Sequence, residues 1–498
     1  MPNRGPASPA VCAVDIGTSA IRAAAVLADG QITALARRDR DSGSASTTFD
    51  PEELWTQTAA VLRTLTGQLD PGTLRGLAVT AHVGAVIADQ DGKAVWDGFG
   101  WADTRGVDLL TLAWAELPDP FGITGRPVVT GGGLPALAWL RTRHPEAFRR
   151  ARWLLSPKDM VLHRLTGAIV TDVTSAAYTL ALDVRSRGWA RDLCAASGID
   201  PALLPPIRDA DRVVGTVSQD AARRSGLPEG LPVVAGGPDG SVGAAVLADA
   251  GTAAIMDVAG TTDVVTRLSR GFPADPPPGA LVNPYLSDGL YSAGGPTGMT
   301  GGAASFLGGL LNLGGMDTAM ERFGPRVEAL PPGSGGLVVL PSLTGARFPR
   351  WLPAERGGVL GLTDQHTAIH VLRAAHEAAA FVVRECADLL DGTGDRIPVR
   401  LAGGAARSPW LAQLRADVLG RTVCACAEPE TGLLGAAILA ATGCGLHASF
   451  GAARARMAPG LREVRPDQGR ARRYDELYPA WLALRRAAMP EATGADRT

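Results

Sequence analysis

The chain has no GxxxxGKS/T motif, which excludes the phosphate loop of P-loop kinases on pattern. It also lacks a run of about eighteen apolar residues free of glycine or charge, the minimum for a membrane-spanning helix. Leu231–Ala250 comes nearest and is broken by Gly236-Gly237-Pro238-Asp239. Neither sign of charge is in excess. Lys plus Arg is 48, Asp plus Glu is 50 and the formal net charge is -2, so bulk charge makes no case for nucleic-acid binding. Cysteine is scarce and scattered, at Cys12, Cys194, Cys386, Cys424, Cys426 and Cys444. The Cys424–Cys426 spacing is wrong for a zinc knuckle, and reduced, mostly buried thiols of a cytosolic protein are expected. The first ten residues, MPNRGPASPA, lack the apolar core of a signal peptide, so the cytoplasm is the expected compartment.

What is present is a 498-residue chain, 46% hydrophobic and 20% charged. That length exceeds one core and predicts two domains of about 250 residues, or three smaller ones. With 62 Gly and 36 Pro, loops and close backbone approaches are many. The stretch Ala13–Leu27, AVDIGTSAIRAAAVL, reads as strand, tight turn, strand. Its turn, Gly17-Thr18-Ser19, can present backbone N–H groups to an anion, because successive amides form a positive nest. Asp15, just before the turn, suits a divalent cation carried by that anion, since magnesium prefers carboxylate and phosphate oxygens. An ordinary hairpin with an acid in its turn is the competing reading.

Asp50-Pro51-Glu52-Glu53 starts a helix that runs to Leu65, with Asp50 as N-cap. Leu74–Thr80 and Ala85–Ala88 read as strands, giving an α/β arrangement around a mixed sheet. His82 follows a strand end, where a histidine is either structural or a ligand. Trp101-Ala102-Asp103-Thr104-Arg105 either binds a polyol or forms a salt-bridged loop packed on tryptophan. From 124 to 199 the spacing predicts a mostly helical insert, with helices at Gly133–Arg141, Pro145–Phe148, Pro157–Leu165 and Trp189–Ser197. Lys158-Asp159 within it reads as an architectural ion pair.

Pro232–Ala235 is a predicted strand, Gly236-Gly237-Pro238 a turn, and Gly240–Ala250 a helix of small residues. Asp239 stands between them, placed either as a general base or metal contact, or as a simple N-cap. Thr252–Asp263, TAAIMDVAGTTD, then echoes the opening: an apolar run, Asp257, and the turn Gly260-Thr261-Thr262, with one extra residue between acid and glycine. Two such units predict two related domains facing across a cleft, with a phosphate chain between two glycine turns. Ala293–Gly315 is dense in glycine and reads as part flexible wall, part helix from Ala303 to Leu311. A long helix is expected over Gln365–Leu390. Further on, Pro398–Leu401 leads through Gly403-Gly404 into a helix at Leu411–Leu419, a pattern that fits a nucleotide phosphate at a turn and helix N-terminus. Tyr474, Tyr478 and Trp481 share one helix face, and the tail from about Pro490 is expected to be disordered.

The chain resembles the FGGY carbohydrate kinases, and within them the xylulokinase branch. The matching pieces are DIGTS at 15–19, WADTR at 101–105, LTG and TD within 165–172, GGPDG at 236–240, GTT at 260–262, LTGARFP at 343–349 and GGAARSPWLAQLRADVLGR at 403–421. They span the chain from Val11 to Trp481 in the family's order. The resemblance implies duplicated ribonuclease-H-like, actin-like ATPase domains facing across a cleft. Residues 11–241 would form the sugar side, with the insert at about 124–199, and 242–485 the ATP side. It implies ATP and Mg²⁺, with Asp239 as the base that deprotonates the sugar hydroxyl and, with Asp15, a metal contact. Gly17, Thr18 and Ser19 match the first phosphate loop, Gly260, Thr261 and Thr262 the second, and Gly403, Gly404 and Ser408 the adenosine-side segment. Trp101, Asp103 and Arg105 match a sugar-side cluster, and His82 and Val83 lie in a loop that faces the sugar.

One departure concerns that loop: xylulokinases carry Gln-Met-His-Gly and glycerol kinases Gln-Arg-Glu where this chain reads Thr80-Ala81-His82-Val83-Gly84. The expected reaction is D-xylulose to D-xylulose 5-phosphate. Ribulose, L-xylulose, erythritol or glycerol as acceptor stays open, as does a non-catalytic actin-like ATP-binding protein. The expected partner is a small sugar or polyol, with neither nucleic acid nor membrane, in a homodimer.

Overall fold

A computed structural model describes residues 8–40, 46–248, 254–287, 289–314, 316–352 and 354–487. The first half is built on β1 (Ala10–Ile16), β2 (Ala20–Leu27) and β3 (Ile32–Asp39), an antiparallel meander. Helix α1 (Pro51–Thr66) follows, started as its sequence predicts: the Asp50 carboxylate accepts from the Glu52 and Glu53 amides at 2.8 and 3.2 Å. Strand β4 (Leu74–Ala81) then returns parallel to β1. After an intervening layer that contains α2 (Val173–Tyr178), the chain adds β5 (Val213–Thr216), β6 (Pro232–Val234), the two-residue β7 (Gly237–Pro238) and α3 (Asp239–Ala244). The sheet order is β5-β6-β4-β1-β2-β3, with β7 also on β4, and β6 and β7 run parallel to β4.

The second half repeats this plan. Strand β8 (Ile255–Ala259) pairs antiparallel with β9 (Val264–Arg270), and β10 (Leu281–Pro284) and β11 (Leu290–Pro296) extend that edge. Helices α4 (Thr300–Leu310) and α5 (Ala368–Asp391) lead to β12 (Val399–Gly403), which runs parallel to β8. Then come α6 (Pro409–Leu419), β13 (Val423–Ala425), α7 (Thr431–Gly443) and β14 (Arg462–Val464), giving the order β10-β11-β9-β8-β12-β13-β14. In both sheets a central strand has an antiparallel hairpin on one side and parallel strands on the other. The predicted echo is therefore a duplicated actin-like fold.

Helix α7 joins the halves. It is apolar on every side, as a helix buried all round must be. Although it belongs to the second half by sequence, it packs on β1, β4 and α3 of the first. Leu433, Leu434, Ile438 and Leu439 share one core with Val11, Ala13, Val242 and Val246, and with Met256 and Ala402 of the second sheet. The outer face of the first sheet is covered by α1 through Leu54, Trp55 and Leu62. The outer face of the second is covered by α5, α6 and the C-terminal helix, through Phe381, Tyr474 and Trp481.

Several boundaries differ from the sequence reading. Helix α3 ends at Ala244 rather than Ala250, because glycines at 240 and 243 weaken helix propagation; residues 249 and 250 lie outside the described chain, as do 252–253, Gly315 and the tail beyond 487. Asp239 is the first helical residue and Pro238 the N-cap, so the N-cap alternative falls away. The 124–199 insert also holds short strands, and Gly188–Trp189 pairs with Leu182–Asp183, so the helix expected there begins only at Arg191. The glycines read as a flexible wall lie partly within β11, paired along its length with β9.

Helix α7 crosses α3 closely enough that a Cβ on Gly435 would stand 1.9 Å from the Val242 carbonyl oxygen. Gly435→Val is expected to cost about 2 kcal/mol through overpacking and to lower Tm by about 2 °C in a chain of this length. An unchanged melting curve would contradict this account of the crossing.

Candidate active site

Strand register places the predicted residues together. Ile16 pairs with Ala81, and Ala81 with Pro238, all in parallel strands. The next residues, Gly17, His82 and Asp239, therefore leave the sheet side by side at the carboxyl ends of β1, β4 and β7. Ligands of open α/β sheets bind at such strand ends. The His82 amide donates to the Ile16 carbonyl at 2.9 Å, and the Thr80 hydroxyl to the Gly237 carbonyl at 2.8 Å, which fixes the row. In the second half Ala259 pairs with Gly403, so Gly260 and Gly404 emerge in the same way. A Cβ on Gly403, whose φ is +84°, would stand 2.1 Å from the Ala259 carbonyl oxygen, so only glycine fits there.

Two carboxylates meet at the first row. Asp239 is partly exposed, and its Oδ1 accepts from the Gly240 amide at 2.7 Å. Burial, and then the nearby Asp15 carboxylate, push its pKa up to about 6. Asp15 is buried, and burial raises its pKa against the pull of the Arg22 guanidinium that it binds through Oδ2. Among the described residues its buried Oδ1 has no hydrogen-bond partner. A carboxylate oxygen left bare beside a second carboxylate suits a hard cation that completes its shell with phosphate and water oxygens. Arg22 also reaches Glu430, the N-cap of α7, at 2.8 Å. The next turn comes so close that a Cβ on Gly432 would stand 2.7 Å from Asp15 Oδ2. Sequence reading gave Arg22, Glu430 and Gly432 no role, because their meeting depends on α7 crossing between the halves.

Beside this pair lies a pocket lined by His82, Val83, Lys158, Asp159, Ser175, Tyr178 and Pro238, among others. Burial lowers the His82 pKa to about 4, so its ring is neutral at neutral pH. Nδ1 lies 3.1 Å from the Val83 carbonyl, which can only accept, so Nδ1 carries the ring proton. Nε2 is then a buried acceptor with no protein partner, suited to a sugar hydroxyl. Lys158 is buried between Asp159 and Asp172, and Asp172 also accepts from the Thr174 and Ser175 amides at the start of α2. This ion cluster is architectural, as expected from sequence, but it also forms the polar wall of the pocket.

The glycine turns are anchored differently. The Gly17 amide closes its own turn on the Ala20 carbonyl at 2.9 Å; among the described residues the amides of Thr18 and Ser19 have no such partner. The Gly260–Thr262 turn is fixed from behind by Asp263, whose carboxylate takes the Thr300 hydroxyl of α4 and Arg415 of α6 at 2.9 Å. Asp257 joins Arg415 and not the cleft. The extra residue between acid and turn puts its side chain on the opposite face from that of Asp15. Ser408 caps α6, accepting from the Leu411 amide at 3.3 Å. Asp103 and Arg105 bind each other, and the guanidinium lies over Phe99 and Trp139 at 4.4 and 4.6 Å, outside the lining of the His82 pocket. Trp101 is 45% exposed.

Residues 10–246 match the N-terminal domain of the FGGY family of carbohydrate kinases, and residues 257–444 the C-terminal domain. The chain belongs to the FGGY family of carbohydrate kinases. It is 29% identical over 457 residues to the xylulose kinase of Bacillus subtilis (strain 168), covering 88% of this chain and 89% of that one. It is also 29% identical over 494 residues to the glycerol kinase of Nocardia farcinica, covering 93% and 96%. A solved xylulose kinase from Rhodospirillum rubrum superposes with a TM-score of 0.86 at 28% identity, covering 96% of this chain and 98% of that one. The kinase uses ATP and a small-molecule acceptor. Among its described residues no helix is long and apolar enough to cross a membrane.

A general base acts only when deprotonated. If Asp239, whose pKa is pushed up to about 6, is the base, kcat/KM of the kinase should fall tenfold per pH unit below about pH 6 and level off above it. A flat profile from pH 5 to 8 would remove Asp239 from the base role.

Proposed function

We propose that the kinase transfers the γ-phosphoryl group of ATP to D-xylulose, giving D-xylulose 5-phosphate. The observation that carries this reading is Asp239 just after β7, its pKa raised to about 6 by burial and the Asp15 carboxylate, beside His82 in the row of strand ends. The xylulose kinases among its relatives support the choice of acceptor. Residues 11–241 would hold the sugar and 242–485 the nucleotide, as the glycine turns at the two strand-end rows suggest.

In this reading the acceptor lies at the mouth of the pocket, with one hydroxyl donating to His82 Nε2 and its reacting hydroxyl against Asp239. Asp239 takes the proton as the hydroxyl oxygen bonds to the γ-phosphorus and the bond to the β–γ bridging oxygen breaks, releasing ADP. Thr18, Ser19 and the Gly260–Thr262 turn supply amides to the phosphate oxygens. The bare Oδ1 of Asp15, with Asp239, would hold Mg²⁺, which neutralises charge on the phosphates. Arg22 pairs with Asp15, opposing the effect of burial, and holds it in place. Closure around the bound sugar excludes water and limits ATP hydrolysis.

Asp239→Asn should lower kcat by about a thousandfold or more while calorimetry still detects ATP binding. Full activity in that variant would overturn the mechanism. In a panel of D-xylulose, L-xylulose, D-ribulose, glycerol, erythritol and gluconate with Mg-ATP, D-xylulose is expected to give the highest kcat/KM. A higher value for glycerol or another polyol would reassign the acceptor.

A further inference from the structure

The β10–β11 hairpin of the second half is set into the first. The Val282 amide donates to the Gly125 carbonyl at 2.9 Å, and the Tyr291 hydroxyl to the Val184 carbonyl at 2.9 Å. The Thr174 hydroxyl of α2 accepts from the Leu286 amide at 2.9 Å. Ala210 donates to the Leu286 carbonyl at 2.7 Å, and Ser287 to the Asp211 carboxylate at 2.7 Å.

Arg126 lies inside this contact and is 2% exposed. It has no ion pair among the described residues, an unusual state for a buried cation. Its guanidinium donates to Asn283 Oδ1 on β10 and stacks over the Tyr178 ring, 4.0 Å from the centroid. Its Nε has no partner. Tyr178 lines the pocket that holds His82, and so does Ser175 of the same helix. On the other side, β10 is paired to β11, β11 to β9, and β9 begins two residues after the Gly260–Thr262 turn. One buried side chain thus bridges a wall of the pocket and the sheet that ends in the second glycine turn.

We propose that Arg126 is a positioning residue for the reaction: through Asn283 and Tyr178 it ties the geometry of the His82 pocket to nucleotide occupancy of the second half. Its planar fork bonds Asn283 with an edge while its face holds the tyrosine ring, a pairing that lysine cannot reproduce. The assignment of that pocket to the acceptor rests on the proposed function; the bridge itself does not.

The test is hydrogen–deuterium exchange of the full chain over 173–178, with and without a non-hydrolysable ATP analogue. In the native protein the analogue should slow exchange there about fivefold, the low end of typical coupling between sites. Asn283→Leu should abolish that response, and Asn283→Asp, which keeps the acceptor oxygen, should restore it. Asn283→Leu should also raise KM for the accepted sugar about tenfold with kcat and KM for ATP little changed. An undiminished response in Asn283→Leu, or no response in the native protein, overturns the proposal. A native response together with no D-xylulose phosphorylation leaves the bridge standing and overturns the choice of acceptor alone.

Discussion

The structure depends on how closely two small-residue helices cross. Helix α3 carries Asp239 at its first position, and α7 carries Glu430 at its N-cap. They meet where Gly435 rests against the Val242 carbonyl. Any side chain at that point would push the helices apart. The first helix would then carry Asp239 away from Asp15, and the second would carry Glu430 away from Arg22. The shared core of Val11, Ala13, Val242, Leu433 and Ile438 holds the crossing, and neither half can complete that core alone.

From that crossing the chemistry follows by register. Parallel pairing sets Gly17, His82 and Asp239 in a row on one sheet and Gly260 and Gly404 in a row on the other. Each row is a set of strand ends, where backbone amides and short side chains can face a ligand. Burial and the neighbouring carboxylate raise the Asp239 pKa to about 6, a value that suits the base role proposed for it.

Much of this was legible in the sequence, and the reasons are local. Short apolar runs ending in an acid and a glycine turn pointed to both hairpins, and Asp50-Pro51 to the start of α1, because turn and cap chemistry depend on neighbours in the chain. What could not be read depends on distant partners. Helix α7 has no polar face, so its sequence says that it is buried but not between which layers. Ser408, matched by resemblance to the adenosine-side segment, caps α6, a role set by the residues that follow it. Asp257 looked like a second Asp15, yet a single extra residue turns it toward Arg415. The polar wall of the pocket includes Lys158 and Asp159, held from behind by Asp172, and their burial could not be inferred from a charged pair in a helical stretch.

In the proposed mechanism the two glycine turns hold the γ-phosphate of ATP against a sugar hydroxyl that Asp239 deprotonates. A crystal structure of the chain with D-xylulose, Mg²⁺ and a non-hydrolysable ATP analogue tests it most directly. The account predicts the γ-phosphate between residues 17–19 and 260–262, with a sugar hydroxyl oxygen within hydrogen-bond reach of the Asp239 carboxylate, about 3 Å. A nucleotide bound outside the cleft, or a sugar whose hydroxyls all lie beyond reach of Asp239, would contradict it.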